Sequence, residues 1–270
     1  MTTTPIDANT VTHAADRIAR ATAERRPVAP VRDLIGMADI AAAYAVQDEL
    51  IQRRLAAGGV VVGRKIGLTS PAVQRQLGVD QPDFGVLFAD MDVSGATEVP
   101  ARLLLQPKAE AEVAFVLKQD LTGDDFGPEL IRAAVDYAVA ALEIVDSRIA
   151  DWDIAITDTI ADNASSGLFV LGEKQLTLDE FEPREVTMQM YADDRLVSDG
   201  SGTACLGDPL TALAWLARTA AEFGRPLRAG QIVLSGALGP MVPATPGTRI
   251  HAEIGALGTV SAMFSPKEQL

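Results

Sequence analysis

Three glutamates stand in apolar surroundings, where a carboxylate is rarely buried without something to pair with it. Glu110 and Glu112 lie two residues apart in Leu103-Leu-Leu-Gln-Pro-Lys-Ala-Glu-Ala-Glu-Val-Ala-Phe-Val-Leu117, and Glu143 interrupts Tyr137-Ala-Val-Ala-Ala-Leu-Glu-Ile-Val145. Strand alternation puts residues i and i+2 on one face. Glu110 and Glu112 then point one way, while Ala111, Val113, Phe115 and Leu117 point into a core. Carboxylates gathered on one buried face repel each other unless a cation joins them, and an all-oxygen donor set suits Mg²⁺ or Mn²⁺. The same spacing also fits an edge strand that leaves Glu110 and Glu112 in solvent.

Lys65 is the next residue that could do chemistry. It sits in Val60-Val-Val-Gly-Arg-Lys-Ile-Gly-Leu68, and alternation places it beside Gly63 and Gly67, where a ligand could approach the backbone closely. An ammonium there could stabilise a developing enolate or carboxylate; a surface lysine on an edge strand fits the pattern equally. Gln81-Pro-Asp-Phe-Gly85 reads as a turn that could carry Asp83 as a general acid or base. Ala161-Asp-Asn-Ala-Ser-Ser-Gly167 is a polar segment that could offer hydroxyl and amide donors to a ligand or simply cap a turn.

Other chemistries are excluded by what is missing. The two histidines, His13 and His251, are far apart and there is one cysteine, Cys205, which argues against zinc and against a Ser-His-Asp triad. Neither glycine-rich nucleotide motif occurs. With 23 basic against 37 acidic residues the net charge is −14, which disfavours nucleic acid as a partner. A lone cysteine, no secretory leader and no apolar run of membrane-spanning length point to a soluble, cytoplasmic chain.

The elements that must position these groups change character along the chain. Helical spacing of apolar residues predicts helices over 10–26 and 38–57, and Ser70-Pro71 opens a short helix ended by Gly78. After a strand at 60–68, strands are expected near 86–88, 110–118, 141–146, 167–172, 185–192, 195–199, 231–235, 248–254 and 258–264. Helices interrupt at about 128–138 and 209–223, and Asp193-Asp194 makes a hairpin. Segregated helices and strands predict an α+β fold: a helical N-terminal part over residues 1–75, then a mostly antiparallel β body over 76–270.

Gly63-Arg-Lys-Ile-Gly-Leu-Thr-Ser70, Gln76-Leu-Gly-Val-Asp-Gln-Pro-Asp-Phe-Gly85, Leu105-Gln-Pro-Lys-Ala-Glu-Ala-Glu112, Ala141-Leu-Glu-Ile-Val145, Ser147-Arg-Ile-Ala-Asp-Trp152, Ala161-Asp-Asn-Ala-Ser165 and Leu234-Ser-Gly-Ala-Leu-Gly-Pro-Met241 follow one another in order. Together they resemble the 2-keto-4-pentenoate hydratase family of the fumarylacetoacetate hydrolase superfamily, whose shared core is a mixed β-sandwich roll. The resemblance implies that Glu110, Glu112 and Glu143 hold Mg²⁺ or Mn²⁺. It further implies that Lys65 and Asp83 are active-site residues and that Ser165 lies beside the substrate.

The implied reaction is hydration of a small 2-hydroxydienoic acid, 2-hydroxypenta-2,4-dienoate, to 4-hydroxy-2-oxopentanoate, with no redox cofactor. The sister activity, decarboxylation of 2-oxo-3-hexenedioate (4-oxalocrotonate), uses the same logic; Arg64 before Lys65 resembles the hydratase branch more. A non-catalytic cation-binding scaffold would need the glutamates but neither Lys65 nor Asp83. Family members associate, so a homo-oligomer is implied, and Trp215 and Phe223 offer apolar surface for it.

Overall fold

The computed structural model describes residues 7–70, 74, 79 and 81–266. Two long helices open the chain. Helix α1 (Ala8–Glu24) buries the stripe Ala14, Ala15, Ile18 and Ala21. Helix α3 (Ile40–Ala56) is capped by the Asp39 carboxylate, which accepts from the Ala42 amide. Between them lies a single turn, α2 (Arg32–Ile35). These match the two helices expected near the N-terminus. The helix expected between Pro71 and Gly78 falls outside the described residues.

The body is two packed sheets. The larger runs in the order β2-β1-β8-β3-β4-β5, with β9 also paired to β3. Its members are β1 (Val61–Gly67), β2 (Asp83–Phe88), β3 (Pro107–Leu117), β4 (Val135–Asp146), β5 (Ser166–Leu171), β8 (Ile232–Leu234) and β9 (Val242–Pro243). Among the described strands of this sheet only the β1–β8 pair is parallel. The smaller sheet has the order β11-β10-β6-β7, formed by β6 (Thr187–Ala192), β7 (Arg195–Ser201), β10 (Arg249–Ile254) and β11 (Gly258–Met263). Strands β10 and β11 lie over β3 and β4, and between the sheets are Val113, Phe115, Ile250 and Ala252, all fully buried. The fold is α+β, as the segregation of elements predicts, and Asp193-Asp194 forms the β6–β7 hairpin.

Two boundaries differ from expectation for tertiary reasons. The helix expected over 128–138 stops at Ala134 (α4, Pro128–Ala134), and the chain continues directly into β4. From Val135 to Val139 the ladder to β3 overrides helix propensity, pairing Leu117 with Val135 and Phe115 with Ala138. The turn expected at 81–85 becomes strand from Asp83 onward, because Asp83 and Phe84 pair with Gly67 and Ile66.

A short buried helix, α5 (Ile156–Ala161), has no signal in the sequence long enough to read. Gln47 of α3 ties it to β2 by donating to the carbonyls of both Ile160 and Phe84 at 2.9 Å. The last helix, α6 (Pro209–Glu222), starts at a side-chain cap from Asp208 with proline in its first turn. Trp215 is half-buried and meets Phe84 edge-on at 6.5 Å, while Phe223 lies tilted against Tyr44 at 4.7 Å and still exposes 46% of its surface.

Candidate metal and active site

The central strands β3 and β4 bring the three glutamates together. Glu110 is the cross-strand partner of Glu143, and Glu112 lies two residues further along the same face. Carboxylate oxygens of the three all lie within 4.8 Å of one another. Strand β3 is flanked by β8 and β4, so the edge-strand placement does not hold. Glu112 and Glu143 are buried and Glu110 is half-buried. Glu112 Oε2 accepts from the Gly236 amide at 2.7 Å, while Glu112 Oε1 and Glu143 Oε2 have no hydrogen-bond partner and Glu143 Oε1 faces the Lys65 ammonium at 3.2 Å. Carboxylate oxygens converging on one face, two of them buried without a partner, are the donor set a hard divalent cation takes, so the residues fit such an ion.

Lys65 is buried rather than on the surface. Strand β1 lies inside the sheet, between β2 and β8, and carries the side chain over to the carboxylates. Its Nζ is 3.2 Å from Glu143 Oε1 and donates to the Ala164 carbonyl at 2.9 Å. Burial opposes its charge, but Glu143, Asp83, Glu110 and Glu112 outweigh burial and hold the ammonium protonated, its pKa above the usual lysine value.

Asp83, also buried, reaches the same place from β2 across Gly67. A Cβ on Gly67 would fall on Asp83 Oδ1 and stand 3.4 Å from Lys65 Nζ, so only glycine lets the two side chains meet there. Thr159 donates to Asp83 Oδ2 at 3.2 Å and lies 3.4 Å from the Ser165 hydroxyl, while Asp83 Oδ1 is unpartnered. Burial raises the Asp83 pKa against the pull of Lys65.

The sequence also matches known proteins. Residues 65–265 match the model of the fumarylacetoacetate hydrolase C-terminal domain. The chain belongs to the fumarylacetoacetate hydrolase family. Over 94% of its length it is 55% identical to the TodF product hydratase of Pseudomonas putida, covering 95% of that protein. It is 54% identical over 93% of its length to 2-keto-4-pentenoate hydratase 2 of Dechloromonas aromatica, covering 96% of it. Among solved structures it resembles 4-oxalocrotonate decarboxylase from Pseudomonas putida G7, complexed with magnesium and adipate. That match has a TM-score of 0.92 at 34% identity and covers 96% of this chain and 99% of the other.

Within this fumarylacetoacetate hydrolase fold, the structure gathers Glu110, Glu112, Glu143, Lys65, Asp83 and Ser165 in one place. Several neighbours had no individual signal. Thr159 comes from the unread helix α5, and the Gly236 amide and Ala164 carbonyl act through backbone. Lys108 shares the face of Glu110 by the same i, i+2 rule, and its ammonium rests 4.1 Å over the Trp152 ring. Arg64 is buried on the other side of β1, where burial and then Arg225 lower its pKa to about 10.

Next to these groups Asn163, Ala164 and Ser165 form a left-handed turn, with φ of 54°, 52° and 52°. That conformation costs a non-glycine residue on the order of 1 kcal/mol, so other contacts must hold the turn.

Crowding of the carboxylates gives the metal-free protein a testable pH dependence. Burial pushes Glu143 up to about 7 against the pull of Lys65, and raises Glu110 and, further, Glu112. Because Glu143 in the folded state sits above its ordinary 4.5, its contribution to stability is intact below that value and lost as pH rises through about 7. The Tm of chelator-treated protein is therefore expected to fall by several degrees between about pH 5.5 and about pH 8. Saturating divalent cation should remove that fall, so its stabilising effect grows with pH. A metal-free Tm that is flat or rises over this range would contradict the crowding.

Proposed function

We propose that the protein is a metal-dependent hydro-lyase that adds water to 2-hydroxypenta-2,4-dienoate, giving 4-hydroxy-2-oxopentanoate, in the catabolism of aromatic compounds. The observation that carries this reading is a protonated lysine and a buried aspartic acid set beside three convergent carboxylates, in a chain more than half identical to proteins named as hydratases. Glu110, Glu112 and Glu143 would hold a divalent cation, Mg²⁺ or Mn²⁺ by their all-oxygen donors, which would supply Lewis acidity to the substrate's 2-oxo acid end.

The chain's own residues do the rest. Lys65 neutralises the charge that spreads over the dienolate. Asp83, whose pKa burial raises against the pull of Lys65, delivers protons or orients water at the far end of the diene. Ser165 stands beside the substrate, and Thr159 keeps Asp83 facing it.

Decarboxylation of 4-oxalocrotonate is the competing reading, and the substrate's distal end separates the two. A second carboxylate needs a second cation. Among the described residues Arg64 lies on the opposite face of β1 from Lys65, the Arg148 side chain is ion-paired with the Asp162 carboxylate, and Lys108, over the Trp152 ring, is already drawn to Glu110. A buried carboxylate left unpaired costs several kcal/mol. The expected order of kcat/KM is the pentadienoate and hexadienoate analogues first, within about 10–200-fold of each other, and the dicarboxylate last. A preference for the dicarboxylate would assign the chain to decarboxylation instead.

We propose a homo-oligomer as well, supported by the exposed Met37, Val60, Leu103 and Phe223. Light scattering should give a multiple of the 28.5 kDa chain mass, and a particle of that mass alone would refute it. The buried, unpaired Cys205 supports a reducing, cytoplasmic setting. No described helix is long and apolar enough to cross a membrane. For domain organisation, we place the end of the helical part near residue 60 rather than 75, since β1 is integral to the larger sheet.

A further inference from the structure

We propose that Asn163 and Arg148 are positioning residues: they hold the left-handed turn Asn163–Ser165 so that its Ala164 carbonyl aims the Lys65 ammonium. The inference rests on the role given to Lys65 above.

Three successive non-glycine residues at positive φ do not persist by local preference. Here the turn is held from two sides. The Asn163 side chain pairs with Val86 as a neighbouring strand would, accepting from its amide at 2.8 Å and donating to its carbonyl at 2.9 Å. Strand β2 is the last in the sheet, so this amide takes up backbone groups on its open edge. On the other side Arg148 grips both flanks, donating to the carboxylate and carbonyl of Asp162 and to the Ser166 carbonyl at 2.7 Å. The Ser166 hydroxyl closes the turn on Asn163 O at 2.6 Å.

Below the turn lies Gly85, the ladder partner of Lys65, and any Cβ there would strike Asn163 O. The turn is thus pressed onto the strand pair that carries Lys65. An ammonium has three donors. One is fixed on Ala164 O at 2.9 Å and another faces Glu143 at 3.2 Å, which leaves the third for a substrate oxygen. Freeing the turn releases the first anchor and with it the direction of the third donor.

The test is a kinetic cycle on the metal-loaded protein. Asn163→Gly keeps the left-handed freedom but removes the amide pairing. Arg148→Lys keeps the charge beside Asp162 but loses the forked grip. Each is expected to lower kcat about 10-fold or more, with KM and metal affinity changed less than about 2-fold. In a Lys65→Met background Asn163→Gly should alter kcat by less than about 2-fold, because effects routed through one group do not add. Full kcat in both folded single variants, or an equal loss with and without Lys65, would overturn the proposal. A Lys65→Met variant that keeps full activity would instead refute the role of Lys65 itself.

Discussion

Glu112→Gln is expected to weaken divalent-cation binding by 100-fold or more and to reduce turnover in step at limiting metal. Glu112 is fully buried, one of its oxygens is held by the Gly236 amide, and the other has no partner in the protein. Glutamine preserves the shape and keeps an oxygen for the Gly236 amide, so the fold has no reason to move. What it removes is one of three negative charges crowded into 4.8 Å. Disturbing even the groups that orient a ligand costs 10–100-fold in affinity, and losing an anionic ligand should cost at least as much. The same change should make the metal-free protein more stable, because burial and the neighbouring Glu143 push the Glu112 carboxyl well above its usual pKa. Calorimetric metal titration paired with thermal unfolding reads both effects. Unchanged affinity would remove Glu112 from the metal site.

Lys65→Met should lower kcat by about 10²-fold or more, the scale of losing one preorganised electrostatic stabiliser. Methionine fills the space without the charge. Metal affinity should hold or rise, since the ammonium that competes for Glu143 at 3.2 Å is gone. That opposite response distinguishes Lys65 from the glutamates, whose loss takes metal and turnover together. A variant with native turnover would make the lysine a structural counter-ion only.

Much of this site was legible because strands obey a period of two. Glu110 and Glu112 share a face, and the apolar run around Glu143 marks a second central strand; only the register that sets Glu110 against Glu143 needed coordinates. The same rule exposes Lys108, although Pro107 before it disguises the start of the strand. At Asp83 the local signal misleads about the element: Pro82 and Gly85 suggest a turn, while pairing to β1 makes a strand. Helix α5 was invisible because six residues, Ile156-Thr-Asp-Thr-Ile-Ala161, carry less than two turns of pattern and are buried on all sides. Its Thr159, the Gly236 amide and the Ala164 carbonyl are set by tertiary placement or backbone geometry, which side-chain identity does not encode.

The central claim is tested most directly by following loss of dienoate absorbance in the chelator-stripped protein, re-supplied with Mg²⁺ or Mn²⁺, in ¹⁸O-labelled water. The account predicts that turnover vanishes on stripping and returns with the cation, that the product gains one solvent oxygen at C4, and that no carbon dioxide is released. Turnover indifferent to the cation, or carbon dioxide released from 4-oxalocrotonate faster than the dienoate is consumed, would contradict it.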